Sequence, residues 1–192
     1  MADSTSPTPT PASTPTSPEI AVNVQLPVFS TELFDRMCKG IGVLAETDRA
    51  KLANGIVAVY HSAHWCGPCK SFTPFLAKVY AVAQAHNLPF EIVFASHDRD
   101  LDSFTSYRKS MPWKALPFVE DGEEEGEGEE DKQSLSAQLS KTFGVASLPT
   151  LIITHPATQR VLTVNGRNDI IKDKLQAIRG WCEQVAPSSS SV

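Results

Sequence analysis

The run Ile56-Val57-Ala58-Val59-Tyr60-His61, followed at once by Ser62-Ala63-His64-Trp65-Cys66-Gly67-Pro68-Cys69-Lys70, decides how this chain folds. Its first six residues are mostly apolar and rich in β-branched side chains. They follow the turn pair Asn54-Gly55, which is the pattern of a short buried strand. Over residues 66–86 the apolar positions Phe72, Phe75, Leu76, Val79, Tyr80, Val82 and Ala83 recur at helical spacing. Pro74, inside that pattern, removes one backbone donor and is expected to kink the helix. A second buried strand is expected over 90–95, then a short helix over 101–110 holding Phe104 and Tyr107. Strand, helix, strand, helix in this order predicts parallel strands with helices packed on them, an α/β fold.

Outward from this unit the punctuation stays regular. A weakly amphipathic stretch occupies 34–52. Beyond the first unit, residues 120–132 form an acid-rich, glycine-interleaved insert expected to be an exposed loop. A brief helix over 135–143 should end at Gly144, where a left-handed cap suits glycine. Apolar runs at 150–154 and 161–164 flank a hairpin loop at 155–158, and an amphipathic helix over 170–185 closes the domain. Residues 1–18 contain 14 Ser, Thr or Pro, so residues 1–20 read as a disordered tail with almost nothing to bury. The last six residues, 187–192, read as a second loose end. One domain over 21–186 accounts for everything between.

The charge balance is local in origin. Of the 22 Asp and Glu, nine fall between Glu120 and Asp131; the remaining 13 stand against 17 Lys and Arg, so the net charge of -5 becomes +4 without the insert. The body is mildly basic and has no Lys/Arg cluster of the kind nucleic-acid phosphates require. No segment reaches the roughly 18 apolar residues of a membrane span, and no basic, apolar leader opens the sequence. The reading is a protein of a reducing compartment, the cytoplasm, acting as a monomer without nucleic-acid or membrane partners.

Four cysteines, at 38, 66, 69 and 182, are too few and too dispersed for a disulfide scaffold. A C-x-x-C pair also makes half of a zinc site, but a second ligand pair is absent and only His61 and His64 stand nearby, so no metal is expected. At a strand-to-helix junction the chemistry is different. Unpaired N–H groups and the macrodipole at a helix N-terminus favour a thiolate, which makes Cys66 the nucleophile. Cys69, one turn on, can attack a mixed disulfide formed on Cys66. Trp65 offers an apolar surface for a docking partner, and Pro68 stiffens the turn. Leu148-Pro149-Thr150, opening a later strand, is the second element of chemistry. A cis Pro149 would expose backbone for pairing with an extended substrate, whereas a trans proline would merely start an edge strand. Cys38 and Cys182 read as structural and His61 as packed.

These residues resemble the thioredoxin superfamily, specifically its tryparedoxin and nucleoredoxin branch. The resemblance rests on Trp65-Cys66-Gly67-Pro68-Cys69-Lys70, Phe72-Thr73-Pro74, Met111-Pro112-Trp113-Lys114-Ala115-Leu116-Pro117-Phe118 and Phe143-Gly144-Val145-Ala146-Ser147-Leu148-Pro149-Thr150-Leu151. It implies a thioredoxin-like fold, a central mixed β-sheet flanked by helices, with a cis Pro149. The implied activity is a thiol–disulfide oxidoreductase carrying electrons from trypanothione, or a similar dithiol, to peroxiredoxin-type peroxidases and other protein disulfides. No bound cofactor is implied beyond the redox-active Cys66–Cys69 disulfide. Catalysis falls to Cys66 and Cys69, and the surrounding surface to Trp65, Gly67, Pro68, Asp98, Leu148, Pro149 and Arg167. Asp98 is expected either to exchange a proton with Cys69 or to cap the next helix.

The departures are Gly67 where the family has proline, Lys70 where arginine is common, and His97-Asp98-Arg99 where tryparedoxins carry Trp-Asp-Glu. The last reverses a charge where the polyamine of trypanothione is expected, and the acidic insert could offset it by attracting that cation. Tyr60 stands where thioredoxins bury an aspartate, as in the tryparedoxin branch. Two alternatives follow: a thioredoxin- or nucleoredoxin-type reductase recharged by a flavoprotein, and a non-catalytic adapter, against which the intact cysteine pair argues.

Overall fold

The computed structural model describes residues 26–43, 45–119 and 134–186. The two expected tails and the acidic loop lie outside the described residues. The chain order is α1 (Thr31–Gly40), α2 (Glu46–Ala53), β1 (Ile56–Ser62), α3 (Gly67–Ala85), β2 (Phe90–Ser96), α4 (Leu101–Arg108), β3 (Lys114–Ala115), α5 (Leu135–Phe143), β4 (Thr150–His155), a 3₁₀ turn (Pro156–Thr158), β5 (Arg160–Thr163), α6 (Gly166–Asp173) and α7 (Leu175–Val185).

All seven residues of β1 are buried because the strand is central in the sheet and covered on both faces. The order is β3-β2-β1-β4-β5, with β1, β2 and β3 parallel and β4 and β5 antiparallel to their neighbours. Strand alternation divides the core in two. Ile56, Ala58 and Tyr60 face Phe72, Leu76, Val79 and Ala83 of α3 and Ile178 and Trp181 of α7. Val57 and Val59 face the opposite layer, built from Phe34, Met37 and Cys38 of α1 and Leu139 and Phe143 of α5. Full burial of one such aliphatic side chain stabilises by about 1.5–3 kcal/mol.

The expected mixed sheet between helices is therefore present, with local differences. Residues 34–52 form two helices and not one weak stretch. Their break contains Gly42 at φ 72°, and α1 opens on Ser30, whose side chain accepts from the Leu33 N–H at 3.2 Å. Val82 is exposed, since the buried stripe of α3 runs through 72, 76, 79 and 83 and leaves 82 on the solvent side. The expected helix over 170–185 is two helices, divided at Lys174 in a positive-φ conformation. Its first half starts earlier because Gly166 seats directly on β4. A Cβ there would stand 2.7 Å from the Leu151 carbonyl oxygen and from Ile153 Cγ1. Gly144 does cap α5 in the left-handed region, at φ 62°.

Candidate active site

Strands β1 and β2 run parallel and in register to their ends, Ser62 opposite Ser96, so the loops that follow lie side by side. The second loop holds the first. Ser62 C=O accepts from His97 N–H at 2.9 Å, His97 C=O accepts from Trp65 Nε1–H at 2.9 Å, and Asp98 Oδ1 accepts from His64 N–H at 2.6 Å. Asp98 Oδ2 accepts from Ser96 Oγ at 2.8 Å, so both carboxylate oxygens are engaged in fixing this junction. Asp98 does not cap α4. Asp100 does so, two residues on, accepting from Ser103 N–H at 2.7 Å and Ser103 Oγ at 2.9 Å. These bonds hold the Asp100 carboxyl below its ordinary pKa.

Held in this way, the chain turns into α3 with Cys66 at the N-cap, Gly67 and Pro68 in the first turn and Cys69 a turn later. Proline suits this turn because its missing N–H would have no helical partner there. Cys66 and Cys69 are joined by a disulfide, Cα–Cα 5.2 Å, and Cys66 Sγ also accepts from Cys69 N–H at 3.3 Å. The two sulfurs differ in access: Cys66 is 6% exposed and Cys69 0%. Cys66 borders an open cleft of about 580 Å³ with Trp65, Pro68 and His97 on one side and Val145, Ser147 and Leu148 on the other. The Leu148–Pro149 peptide bond is cis. Because Thr150 pairs with His61, Pro149 sits at the end of β1 where the reactive loop emerges.

A disulfide at a strand-to-helix junction, beside a cis-proline that opens an antiparallel strand, matches one family model. That model, described as thioredoxin-like, covers residues 54–159. The chain belongs to the thioredoxin-like family. It is 37% identical over 138 residues to a tryparedoxin of Trypanosoma brucei brucei, spanning 71% of this chain and 85% of that protein. It is 34% identical over 127 residues to nucleoredoxin of Bos taurus, which accounts for 66% of this chain and 26% of that much longer protein. Among solved structures, tryparedoxin II complexed with glutathionylspermidine superposes with a TM-score of 0.53 at 33% identity, over 65% of this chain and 77% of that one. As a thioredoxin-like domain with its cysteine pair in place, it carries the residues on which thiol–disulfide exchange depends.

Of the residues expected at the site, Trp65, Cys66, Gly67, Pro68 and Leu148 line the same cleft. Asp98 lies behind them. Arg167 lies elsewhere, in the first turn of α6, where its guanidinium stacks over Phe72 at 5.6 Å. With Pro68, Phe75 and Ile171 it borders a second groove, which Pro68 shares with the first.

Three features went unread in the sequence. The first is a buried hydroxyl chain beneath the cysteine turn. Thr73 Oγ1 donates to Cys69 C=O at 3.0 Å and lies 2.8 Å from Tyr60 OH and 2.6 Å from Tyr107 OH, which is 2.9 Å from Ser62 Oγ. With its one proton on Cys69, Thr73 must accept from both tyrosines, and Tyr107 from Ser62. Tyr60 therefore acts as a hydroxyl donor in the place of an acid. Burial raises its pKa above the ordinary tyrosine range.

The second is a histidine pair, His61 Nδ1 to His97 Nε2 at 3.1 Å. Burial, and then the neighbouring His97, push the His61 pKa down to about 3; burial also lowers that of His97. The third is Arg99, stacked on Trp65 at 5.5 Å. Each arises from the way strands, helices and loops pack together and carries no short-range sequence signal. Cys38 and Cys182 remain unpaired, and burial raises both thiol pKa values. No helix among the described residues is long and apolar enough to cross a membrane.

Proposed function

We propose that the chain is a dithiol carrier of the tryparedoxin type, passing electrons from a low-molecular-weight dithiol such as trypanothione to peroxiredoxin-type peroxidases and other protein disulfides in the cytoplasm. The observation that carries this reading is the asymmetry of the pair: Cys66 at the cleft edge on a helix N-cap, and Cys69 fully buried one turn behind. In the reduced state the Cys66 thiolate is favoured by the helix N-terminus and the Cys69 N–H. It attacks one sulfur of a partner disulfide, the S–S bond breaks, and the leaving thiolate takes up a proton. Cys69, having lost its proton, then attacks Cys66 and displaces the second partner thiol. The two electrons stay with the partner and the internal disulfide returns. An external dithiol reverses both steps, so no bound cofactor is called for.

A glutathionyl donor is supported by the relative solved with glutathionylspermidine. Trp65, Leu148 and Pro149 would seat the incoming disulfide, and Asp98 would hold the loop. The second reading, a reductase recharged by a flavoprotein, is favoured by Arg99, a cation where a polyamine would approach.

The test measures insulin disulfide reduction driven by trypanothione or by a thioredoxin reductase system, with Cys66→Ser and Cys69→Ser variants. Trypanothione-driven turnover, abolished by Cys66→Ser and stalled as a trapped mixed disulfide by Cys69→Ser, is expected. Turnover with the flavoprotein system alone would select the second reading. Turnover with neither would return the domain to an adapter role.

A further inference from the structure

Two guanidinium groups stand on aromatic faces near the reactive turn. Arg99 lies over the half-exposed indole of Trp65, and Arg167 over Phe72. Stacking orients a planar cation and leaves its N–H edge free for a planar acceptor. Arg99 has no hydrogen-bond partner among the described residues, whereas Arg167 gives one N–H to Asn168 Oδ1 at 3.3 Å. Among the described residues neither arginine has a carboxylate within ion-pair distance, and Arg167 Nε is buried without a partner.

The nearby acids, in contrast, are occupied. Asp98 spends both oxygens on His64 N–H and Ser96, and Asp100 spends both on Ser103. Lys70, next to Cys69, is exposed and also unpaired. The described rim of the site is thus cationic over apolar surfaces. Of these cations Arg99 is the one fixed to the side chain next to the nucleophile, because Trp65 is itself pinned to the His97 carbonyl.

A guanidinium presented this way recognises a carboxylate, with two parallel N–H···O bonds available. The reacting group at this site is a sulfur–sulfur bond, so the anion must be carried by the disulfide itself. We propose that Arg99 is a specificity residue that favours disulfides bearing a carboxylate beside the scissile bond and disfavours those bearing an ammonium. The proposal rests on the dithiol-exchange reading above. The carboxylate belongs either to the γ-glutamyl group of a small thiol or to an acidic side chain flanking a protein cysteine.

The experiment oxidises the reduced full chain with three small symmetrical disulfides, dithiodipropionate, cystamine and hydroxyethyl disulfide, followed by tryptophan fluorescence. For each variant the rates with the charged disulfides are divided by its own rate with the neutral one. The anion-to-cation ratio is expected to fall about tenfold in Arg99→Glu, to stay within about twofold in Arg99→Lys, and to shrink toward unity at about 0.5 M salt. A ratio unmoved in Arg99→Glu would overturn the proposal. A reduced protein that fails to react even with the neutral disulfide would instead overturn the dithiol reading and this inference with it. Glutathione disulfide and an aspartate-flanked peptide disulfide then separate the two sources. The one whose rate falls further in Arg99→Glu supplies the carboxylate, equal falls support both, and no fall in either refutes the assignment.

Discussion

Replacing Thr73 by valine keeps the shape of α3 and removes the hub of the buried hydroxyl chain. Thr73 Oγ1 accepts from Tyr60 at 2.8 Å and Tyr107 at 2.6 Å while donating to Cys69 C=O at 3.0 Å. In its absence Tyr107 can turn its proton to Ser62 Oγ, 2.9 Å away, but Tyr60 OH, on a residue with 0% exposure, loses its well-placed acceptor and is left facing only the hydroxyls of Ser62 and Tyr107. A stranded buried donor costs about 1–3 kcal/mol, and each net hydrogen bond lost about 1 kcal/mol more. The added apolar burial of valine returns less than about 1 kcal/mol. The expected destabilisation is therefore about 2–3 kcal/mol.

Tyr60→Phe alone forfeits one bond, about 1 kcal/mol, and leaves Thr73 served by Tyr107. In the double variant no donor is stranded, so Thr73→Val should cost about 1 kcal/mol there. The coupling between the two sites is then about 1–2 kcal/mol, read from urea midpoints of all four proteins in the oxidised state. Additive losses, with coupling below about 0.5 kcal/mol, would refute the proton directions assigned to this chain.

Three further outcomes are expected. Burial keeps His61 neutral in the fold, with a pKa of about 3, while the unfolded chain takes up that proton near 6.5. The contribution of neutral His61 is thus complete above pH 6.5 and declines as pH falls toward 3, by about 1.4 kcal/mol per unit. Urea unfolding should show His61→Gln losing about 2 kcal/mol less than the parent between pH 7 and pH 5, and equal losses would place the acid sensitivity elsewhere. Asp98→Ala, which frees His64 N–H and Ser96 Oγ, should cost about 2 kcal/mol and slow the reaction of Cys66. Asp100→Ala should remove only a helix cap at unchanged rate, so equal effects on rate would dissolve the distinction. Gly166→Ala forces a Cβ to 2.7 Å from Leu151 O and Ile153 Cγ1 and should lower stability by about 1–3 kcal/mol in thermal unfolding.

What could be read from the residues was what local pattern encodes. Strand β1, helix α3 and strand β2 emerge from an unbroken apolar run, a helical stripe and a second run, and the position of Cys66 follows from the junction between them. The division of the last helix at Lys174 could not be seen, because Ile170, Ile178 and Trp181 keep a helical spacing across it and lysine is no breaker. Strand β3 is only two residues long and is defined by its neighbour β2. At the site, the cysteines and the cis-proline were legible by motif. The partners of Tyr60, 13 and 47 positions away in Thr73 and Tyr107, are brought together only by the packing of α3 and α4 on the sheet. Asp98 was misplaced as a possible cap because the sequence offers two aspartates before α4, and only the fold shows which one turns back toward His64.

The hydrogen bond that tethers the tryptophan beside the nucleophile goes to a backbone carbonyl, that of His97, and not to any side chain. Every amino acid carries that carbonyl, so positions 97 and 99 can change in charge and size while the indole stays where it is. Chemistry and selectivity are thereby written on separate parts of one short loop. A new set of partners can be acquired there by ordinary point substitution without rebuilding the machinery that breaks the disulfide, and the same two positions are where an engineer would begin to redirect the domain.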